Sequence, residues 1–177
     1  DLIFSNRLVL RYRDPRRFGS VLWTSNATQL HPLLKNLGPE PLGPDFDAAH
    51  LFDTSRGRRV AIKNLLMNSQ IVVGVGNIYA NEALYLSCIH PGRAAGRISM
   101  TRYKTLASAI RSVLSTAIDA GGTTLRDFTN SDGEPGYFSH RLHVYGRGGL
   151  PCDSCGTTIR AIVIGQRSTF YCPQCQR

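Results

Sequence analysis

Four cysteines near the end of the chain constrain its fold more than any other feature. They form two Cys-x2-Cys pairs, Cys152 with Cys155 and Cys172 with Cys175, and sixteen residues separate the pairs. Paired cysteines at this spacing are typical of a tetrahedral site in which four thiolates bind one Zn²⁺. Two disulfides are the alternative, but no other part of the sequence resembles a disulfide-rich fold. We therefore expect one structural Zn²⁺.

The segment between the two pairs is predicted to form a β-hairpin. β-branched and aromatic residues are frequent in 157–164 and 167–171, and Gly165-Gln166 lies between these runs. This composition is typical of two short strands joined by a tight turn. A hairpin of about 25 residues buries too little apolar surface to be stable alone, so the metal must stabilise it. We therefore expect the turn and Arg167 beside it to be held rigidly.

The charge of the chain indicates a polyanionic partner. The 177 residues contain 21 lysines and arginines against 12 aspartates and glutamates, which gives a formal net charge of +9. Eighteen of the basic residues are arginines, and the planar guanidinium suits bidentate contacts with phosphates and bases. A basic composition that serves only solubility is the alternative. Because a zinc ribbon accompanies the charge, nucleic acid is the first partner to expect.

Several features predict where the protein works. No apolar run approaches the length of a bilayer-spanning helix, and the first residues do not resemble a signal peptide. We therefore expect an intracellular protein with no membrane partner. Cys88 stands alone in a helical pattern and is expected to be a buried small hydrophobe. The chain opens at Asp1 directly before a strand-like run, so we expect it to be the C-terminal part of a longer protein.

The first 44 residues are predicted to hold strands and then a linker. Strand-like runs occupy 8–13 and 18–23, and a turn presenting Arg16 and Arg17 joins them. Two strands alone are marginal in water, so we interpret them as part of a larger sheet. A short helix is expected within 26–37, after which glycine and proline interrupt regular structure.

The middle of the chain is predicted to be helical. Asp45 or Asp47 is expected to cap a helix that runs through Phe52. A second helix is predicted over 58–67, where Arg58, Arg59 and Lys63 provide charge between apolar residues. The clearest helix is predicted over 99–120, where apolar residues recur at helical spacing and Gly121-Gly122 follows. We interpret its apolar stripe as core.

Two glycine-containing segments are candidates for binding. Gly74-x-Gly76-Asn77 forms a tight turn that opens a helix, where close backbone approach and free N–H groups favour phosphate. A plain helical corner with glycines for packing is the alternative. The polar segment 129–139 is predicted to be a loop, which is either functional or a plain surface connection.

Together, the motifs closely resemble one known family over essentially the whole chain. In order, they are Asp-Pro-Arg-Arg-Phe-Gly at 14–19, Leu-Gly-Pro-Glu-Pro-Leu at 37–42, Val-Gly-Val-Gly-Asn-Ile-Tyr-Ala-Asn-Glu at 73–82, Gly-Gly-Thr-Thr-Leu at 121–125, Ser-Asp-Gly-x-Pro-Gly-Tyr-Phe at 131–138, Val-Tyr-Gly-Arg at 144–147, and the four-cysteine ribbon. This series resembles bacterial formamidopyrimidine-DNA glycosylase. Endonuclease VIII shares the helical and zinc-finger motifs but differs in its lesion loop and Arg-Arg-Phe turn, so it is the second candidate.

The resemblance implies an α+β fold with four parts. Residues 1–24 would be the last strands of an N-terminal β-sandwich, and residues 25–44 a linker with a short helix. Residues 45–150 would form a helix–two-turn–helix DNA-binding domain with a lesion loop. Residues 151–177 would form a zinc-stapled β-hairpin.

The resemblance also implies an activity. Family members remove oxidised purines such as 8-oxoguanine and formamidopyrimidines from duplex DNA, and they cut the strand by β,δ-elimination after attack by an N-terminal proline amine. Position 1 is Asp, so we expect these 177 residues alone to be inactive and the complete protein to be a glycosylase and abasic-site lyase. We expect a monomer in the bacterial cytoplasm, associated with the nucleoid. A non-catalytic zinc-ribbon module that binds nucleic acid is the remaining alternative.

Individual roles follow from the same resemblance. Arg167 matches an arginine that grips the phosphate beside the lesion and assists δ-elimination, which makes it the one catalytic candidate in this chain. Arg16 matches the residue that fills the space opposite the orphaned cytosine, and Phe18 matches a wedge inserted into the base stack. The expected DNA contacts are Arg16, Arg17, Phe18, Arg58, Lys63, Asn77, Tyr145 and Arg167. The loop expected to close over the flipped base contains Ser131, Asp132, Gly133, Gly136, Tyr137 and Phe138.

Overall fold

The computed structural model describes residues 1–14, 18–122 and 142–177, which form two compact units, Asp1–Lys35 and Asn36–Arg177. The mixed helix-and-sheet composition predicted from the sequence is confirmed. In chain order the strands and helices are β1 (Leu2–Ile3), β2 (Val9–Leu10), α1 (Ala48–Ser55), α2 (Ile62–Leu66), α3 (Asn77–Leu86), α4 (Met100–Asp119), β3 (Arg160–Ile164) and β4 (Arg167–Tyr171). Two 3₁₀ turns lie at Thr28–Leu30 and Ala95–Arg97.

The first unit contains one small antiparallel ladder. β1 pairs with β2 so that Leu2 faces Leu10. The prediction of a strand over 18–23 is wrong, and the strand predicted over 8–13 is only two residues long. The physical reason is that β-branched and aromatic residues form strands where neighbours cover them. In this unit they are not covered, since Trp23 is 93% exposed.

The prediction of a short helix within 26–37 is also wrong, except for a single 3₁₀ turn. Only Thr28–Leu30 forms a 3₁₀ turn, and turns follow it as far as residue 36. Leu33 and Leu37 remain exposed, so this segment lacks the buried apolar face that stabilises most protein helices.

The first helix of the second unit begins with the expected cap. Asp47 accepts a hydrogen bond from the backbone N–H of His50 at 2.7 Å, which caps α1 as predicted. By contrast, α2 begins at Ile62 rather than at residue 58. The preceding residues instead pair with 93–96, since Ala95 N–H donates to the Val60 carbonyl at 2.9 Å and Ile62 N–H to the Arg93 carbonyl at 2.8 Å.

The core of the second unit lies among its four helices. The prediction of a long helix over 99–120 is confirmed by α4, whose N-cap is Ser99. Its apolar stripe is buried as far as Ala117, as the spacing predicted, whereas Ile118 in the last turn is exposed. The fully buried core side chains include Phe46, Leu51, Ile62, Leu66, Leu84, Ile98, Tyr103, Leu106 and Ile110.

Near the end of the chain, β3 and β4 form the predicted antiparallel hairpin, in which Ile164 faces Arg167. The two turn residues, Gly165 (φ 58°) and Gln166 (φ 62°), both lie in the left-handed region, as in the turns that best match strand twist.

Cys88 is not the buried hydrophobe that the sequence predicted. It is exposed, because α3 ends two residues earlier and the chain turns there with a φ of 54°. Within the described ranges, every helix is too short or too polar to cross a membrane.

Candidate metal centre and nucleic-acid interface

The four cysteines of the two predicted pairs come together at the base of the hairpin. The sulfur atoms of Cys152, Cys155, Cys172 and Cys175 all lie within 4.8 Å of one another. The Cys155 sulfur lies 3.5 Å from that of Cys172 and 3.5 Å from that of Cys175, and the Cys152 and Cys175 sulfurs are 4.0 Å apart. A tetrahedron with Zn–S bonds of about 2.3 Å has edges of about 3.8 Å, so this cluster fits one Zn²⁺.

Local hydrogen bonds prepare this cluster for a cation. Hydrogen bonds from the side-chain hydroxyl and the backbone of Thr157 lower the pKa of Cys155 to about 6, which favours the thiolate form. Burial raises the pKa of Cys172 and of Cys175. A bound divalent cation would favour the deprotonated form of all four sulfurs.

The metal cluster is also joined to the helical core. Gln176 is only 2% exposed, and its side chain accepts a hydrogen bond from the Cys172 backbone N–H and donates one to the Ile89 carbonyl, both at 2.9 Å. On the other side of the cluster, the Tyr85 hydroxyl lies 3.3 Å from the Cys152 sulfur and 2.7 Å from the Ser154 hydroxyl oxygen. These contacts fix the base of the hairpin against the end of α3.

A stripe of polar side chains on α3 faces the hairpin. We call Asn77, Asn81, Glu82 and Tyr85 the polar stripe, since they follow one another at intervals that place them along one side of the helix. Asn81 accepts a hydrogen bond from the Phe170 backbone N–H of β4 at 2.8 Å and is fully buried. The Asn77 amide donates to the Ser168 carbonyl at 3.1 Å.

Lys63 reaches the same strand from α2. Its ammonium donates to the Ser168 carbonyl at 2.9 Å and to the Thr169 hydroxyl at 2.7 Å. The side chain is fully buried, so its charge lies inside the protein rather than on the surface of α2. Burial, followed by the positive charge of Arg167, lowers the pKa of Lys63 to about 8.

The hairpin turn fits tightly against α2. A Cβ atom at Gly165 would lie 2.5 Å from the Asn64 side-chain oxygen, so no larger residue fits without movement. Next to this turn the Arg167 side chain is exposed. Among the described residues it pairs with no carboxylate. The turn is therefore fixed at its base and presents a guanidinium outward.

Glu82 positions the segment that precedes the zinc finger. Its carboxylate accepts hydrogen bonds from the backbone N–H groups of His143 at 2.8 Å, Val144 at 3.0 Å and Tyr145 at 2.8 Å. It is only 1% exposed, and these three donors compensate for the loss of water. The Tyr145 ring packs edge-on against Phe170, with 5.2 Å between ring centroids.

The structure therefore brings together four of the predicted contact residues, since Lys63, Asn77, Tyr145 and Arg167 all contact or belong to β4. Arg58 is exposed and belongs to a separate pocket. Phe18 is exposed and belongs to the first unit. Arg16, Arg17 and the predicted lesion-loop residues Ser131, Asp132, Gly133, Gly136, Tyr137 and Phe138 lie outside the described residues.

The sequence motifs did not predict a role for Asn81, Glu82 or Tyr85. Their signal was the recurrence of polar residues on one side of a helix whose other side is apolar. For Asn77 the structure itself gives an indication of function, because its side-chain oxygen is buried and has no hydrogen-bond partner among the described residues. Such an orphaned acceptor marks a position that water or a ligand can complete.

Two family models match this chain. One, described as the formamidopyrimidine-DNA glycosylase H2TH domain, matches residues 37–129. The other, described as a zinc finger found in FPG and IleRS, matches residues 149–177. The predictions of a helix–two-turn–helix domain and of a zinc finger with one structural zinc are thereby confirmed.

Curated bacterial relatives match the whole chain. The formamidopyrimidine-DNA glycosylase of Methylococcus capsulatus is 55% identical over 177 residues, which are 100% of this chain and 65% of that protein. The enzyme of the same name from Syntrophotalea carbinolica is 58% identical over the same shares. The chain therefore spans 65% of the length of these relatives.

Solved structures give the same result. The MutM (Fpg) protein from Thermus thermophilus superposes with a TM-score of 0.85 at 40% identity, covering 92% of this chain and 62% of that one. A Lactococcus lactis FPG mutant in complex with DNA containing Fapy-dG superposes with a TM-score of 0.76 at 34% identity, covering 82% and 53%. These names agree with the first family resemblance rather than with endonuclease VIII.

We predict that Cys155→Ser removes the zinc and loosens the hairpin, because metal binding and hairpin folding are one equilibrium. Elemental analysis should find one zinc per wild-type chain and a large loss in the variant. Cys88→Ser is the matched control, since Cys88 lies outside the cluster and should leave the zinc content unchanged. Full zinc retention by Cys155→Ser would contradict the four-sulfur site.

A second prediction concerns Lys63 and pH. Between pH 8 and 10.5 the folded chain has released a proton that the unfolded chain still holds, so raising the pH across this window stabilises the folded state. We expect the unfolding free energy of the wild type, relative to Lys63→Met, to rise by about 2 kcal/mol from about pH 7 to about 9.5.

Urea unfolding of both proteins at each pH measures this difference, and the subtraction cancels the groups that both proteins share. An unchanged difference would show that Lys63 keeps its ordinary pKa and is not buried as described.

Proposed function

Because this chain belongs to the formamidopyrimidine-DNA glycosylase family, we propose that it supplies the DNA-gripping part of a base-excision repair enzyme. The proposed enzyme removes oxidised purines such as 8-oxoguanine and formamidopyrimidines from duplex DNA and cuts the strand at the resulting abasic site. It would work in the bacterial cytoplasm, at the nucleoid. The residues described here are assigned to binding and positioning of DNA, and the attack on C1′ is not assigned to them.

One observation carries this proposal, namely the convergence of basic and amide side chains on the zinc-stapled hairpin. Arg167 lies beside a turn fixed by the metal cluster at one end and by α2 and α3 along its side. A guanidinium that projects from an ordered turn can bind two phosphate oxygens with charge-assisted hydrogen bonds. Because the turn is already ordered, little conformational entropy is lost when DNA binds.

Asn77 provides the second proposed phosphate contact. It is the first residue of α3, where backbone N–H groups lack partners within the helix and attract anions. Its amide now donates to the Ser168 carbonyl, and its oxygen has no partner among the described residues. A modest rotation of this side chain would turn the amide toward a phosphate beside the one that Arg167 binds.

For Lys63 we propose an indirect role. Its two hydrogen bonds end on Ser168 and Thr169, the residues that follow Arg167. The buried ammonium therefore holds the backbone from which the Arg167 side chain projects. Its positive charge also adds to the field that a phosphate meets at the turn. Tyr145, packed against Phe170, would contact the DNA backbone from the other side of β4.

The proposed activity is tested with the complete gene product and a duplex containing one 8-oxoguanine opposite cytosine. We expect release of the oxidised base, strand cleavage, and a covalent protein–DNA product after borohydride treatment. A thymine glycol duplex serves as the contrasting lesion, and undamaged duplex as the blank. Salt-dependent binding without any base release would instead favour a non-catalytic nucleic-acid-binding module.

A further prediction distinguishes a specific phosphate contact at Arg167 from the general effect of positive charge on DNA binding. Arg167→Ala should weaken duplex binding by about 2 kcal/mol, or roughly 30-fold, because a charged hydrogen-bonded contact is lost. The salt dependence should fall by about 0.9 in log–log slope. Arg160→Ala removes the same charge from β3 and is the control. An equal loss in both variants would contradict a specific clamp at Arg167.

A further inference from the structure

A second basic site lies in the helical unit, away from the hairpin. A cavity of about 500 Å³ is lined by Gly57, Arg58, Arg59, Ala94, Gly96 and Arg97. We call it the arginine pocket. Its lining residues include three arginines and no acidic residue, and all three arginines are exposed to solvent. Three arginines with no acidic residue beside them favour an anion over a cation.

The frame of the arginine pocket is rigid. Gly96 N–H donates to the Arg58 carbonyl at 3.0 Å, and Arg58 N–H donates to the Ser55 carbonyl at 3.1 Å. The two backbone segments lie so close that a Cβ atom at Gly96 would be 2.8 Å from the Arg58 carbonyl oxygen. The pocket is therefore built from backbone already held in place.

A fourth arginine stabilises the backbone of this pocket through hydrogen bonds to its carbonyl groups. Arg56 donates from its guanidinium to the Gly96 carbonyl at 2.8 Å and to the Ile98 carbonyl at 3.0 Å, and it lies 3.8 Å from the centre of the Phe52 ring. Its donors are thus used within the protein. Those of Arg58, Arg59 and Arg97 have no hydrogen-bond acceptor or carboxylate partner within the described part of the chain. Of the four arginines, one therefore uses its donors inside the protein, and the other three carry donors without a partner among the described residues.

The pocket is within reach of the hairpin site along one piece of DNA. Arg59 and Lys63 are four positions apart in the chain, so their Cα atoms are at most about 14 Å apart. Lys63 in turn contacts Ser168, next to Arg167. Because one DNA strand has a phosphate for about every 3.4 Å of helix axis, a segment of roughly four phosphates spans this distance.

We propose that the arginine pocket binds a second phosphate group of the DNA backbone, a few nucleotides from the phosphate bound by Arg167. Of the three arginines in the pocket, only Arg58 was expected from the sequence resemblance to contact DNA. The structure places Arg59 and Arg97 beside it. Guanidinium forks suit this ligand because each can donate two parallel hydrogen bonds to phosphate oxygens. The inference rests on the proposed function, since it needs duplex DNA at the hairpin.

The test compares the salt dependence of duplex binding in matched variants of the complete gene product. Arg58→Ala combined with Arg97→Ala should lower the log–log slope by about 0.9, which corresponds to one lost phosphate contact. Lys104→Ala combined with Arg160→Ala removes the same two charges at exposed positions outside the pocket and should change the slope less. Zinc content and thermal unfolding confirm that every variant folds.

Two further measurements keep the outcomes distinct. Arg58→Lys combined with Arg97→Lys keeps both charges but removes the forks, so its affinity should fall below that of the wild type. Titration with inorganic phosphate asks whether the pocket binds a free anion instead. Phosphate binding that the double alanine variant loses, together with an unchanged DNA slope, would overturn the assignment to DNA.

An equal slope change in the pocket variant and its control would also overturn it, because only general charge would then matter. A wild-type protein that binds no duplex would contradict the proposed function itself. Normal duplex binding and base release, with an unchanged slope in the pocket variant, would contradict only the arginine pocket.

Discussion

The contact between the polar stripe of α3 and the strand β4 determines where the proposed phosphate-binding groups lie. Asn77 and Asn81 hydrogen-bond to β4, Glu82 holds the backbone that leads into the zinc finger, and Lys63 adds two bonds from α2. Buried polar groups are costly without partners. Each of these bonds has a preferred direction, so the contact specifies one relative placement of helix and hairpin where an apolar surface would allow several.

This contact and the metal cluster divide the work of stabilising a hairpin too small to be stable alone. The four sulfurs hold the base, where Gln176 and Tyr85 connect them to the helical core. Lys63 and Asn77 hold the strand near the turn, and Asn64 limits the space at Gly165. Neither constraint replaces the other. The metal cluster alone would leave the strand near the turn without partners on α2 and α3, and the polar contacts alone would leave the two cysteine pairs unconnected.

The sequence predicted those features that depend on local spacing. The metal ligands, the hairpin, α4 and the Asp47 cap follow from patterns within a few residues. It did not predict features that depend on distant neighbours. α2 starts late because residues near Val60 pair with 93–96, and the strand predicted over 18–23 lacks a covering surface. The burial of Lys63 was not predicted, because its acceptors lie more than a hundred residues away in the chain. The roles of Asn81 and Glu82 were missed for the same reason.

The tight fit of Gly165 against Asn64, together with the hydrogen bonds from α3 to β4, affects which form of DNA the protein would bind. The Asn77 amide joins the first turn of α3 to the Ser168 carbonyl beside Arg167, so the spacing between the two backbone segments that carry the proposed phosphate contacts is set before any DNA arrives. A single strand, whose phosphate spacing fluctuates, would match that distance only part of the time. A duplex holds its spacing nearly constant. The hairpin and helix would thus favour duplex over single-stranded DNA through the spacing of its phosphates, without contacting a base.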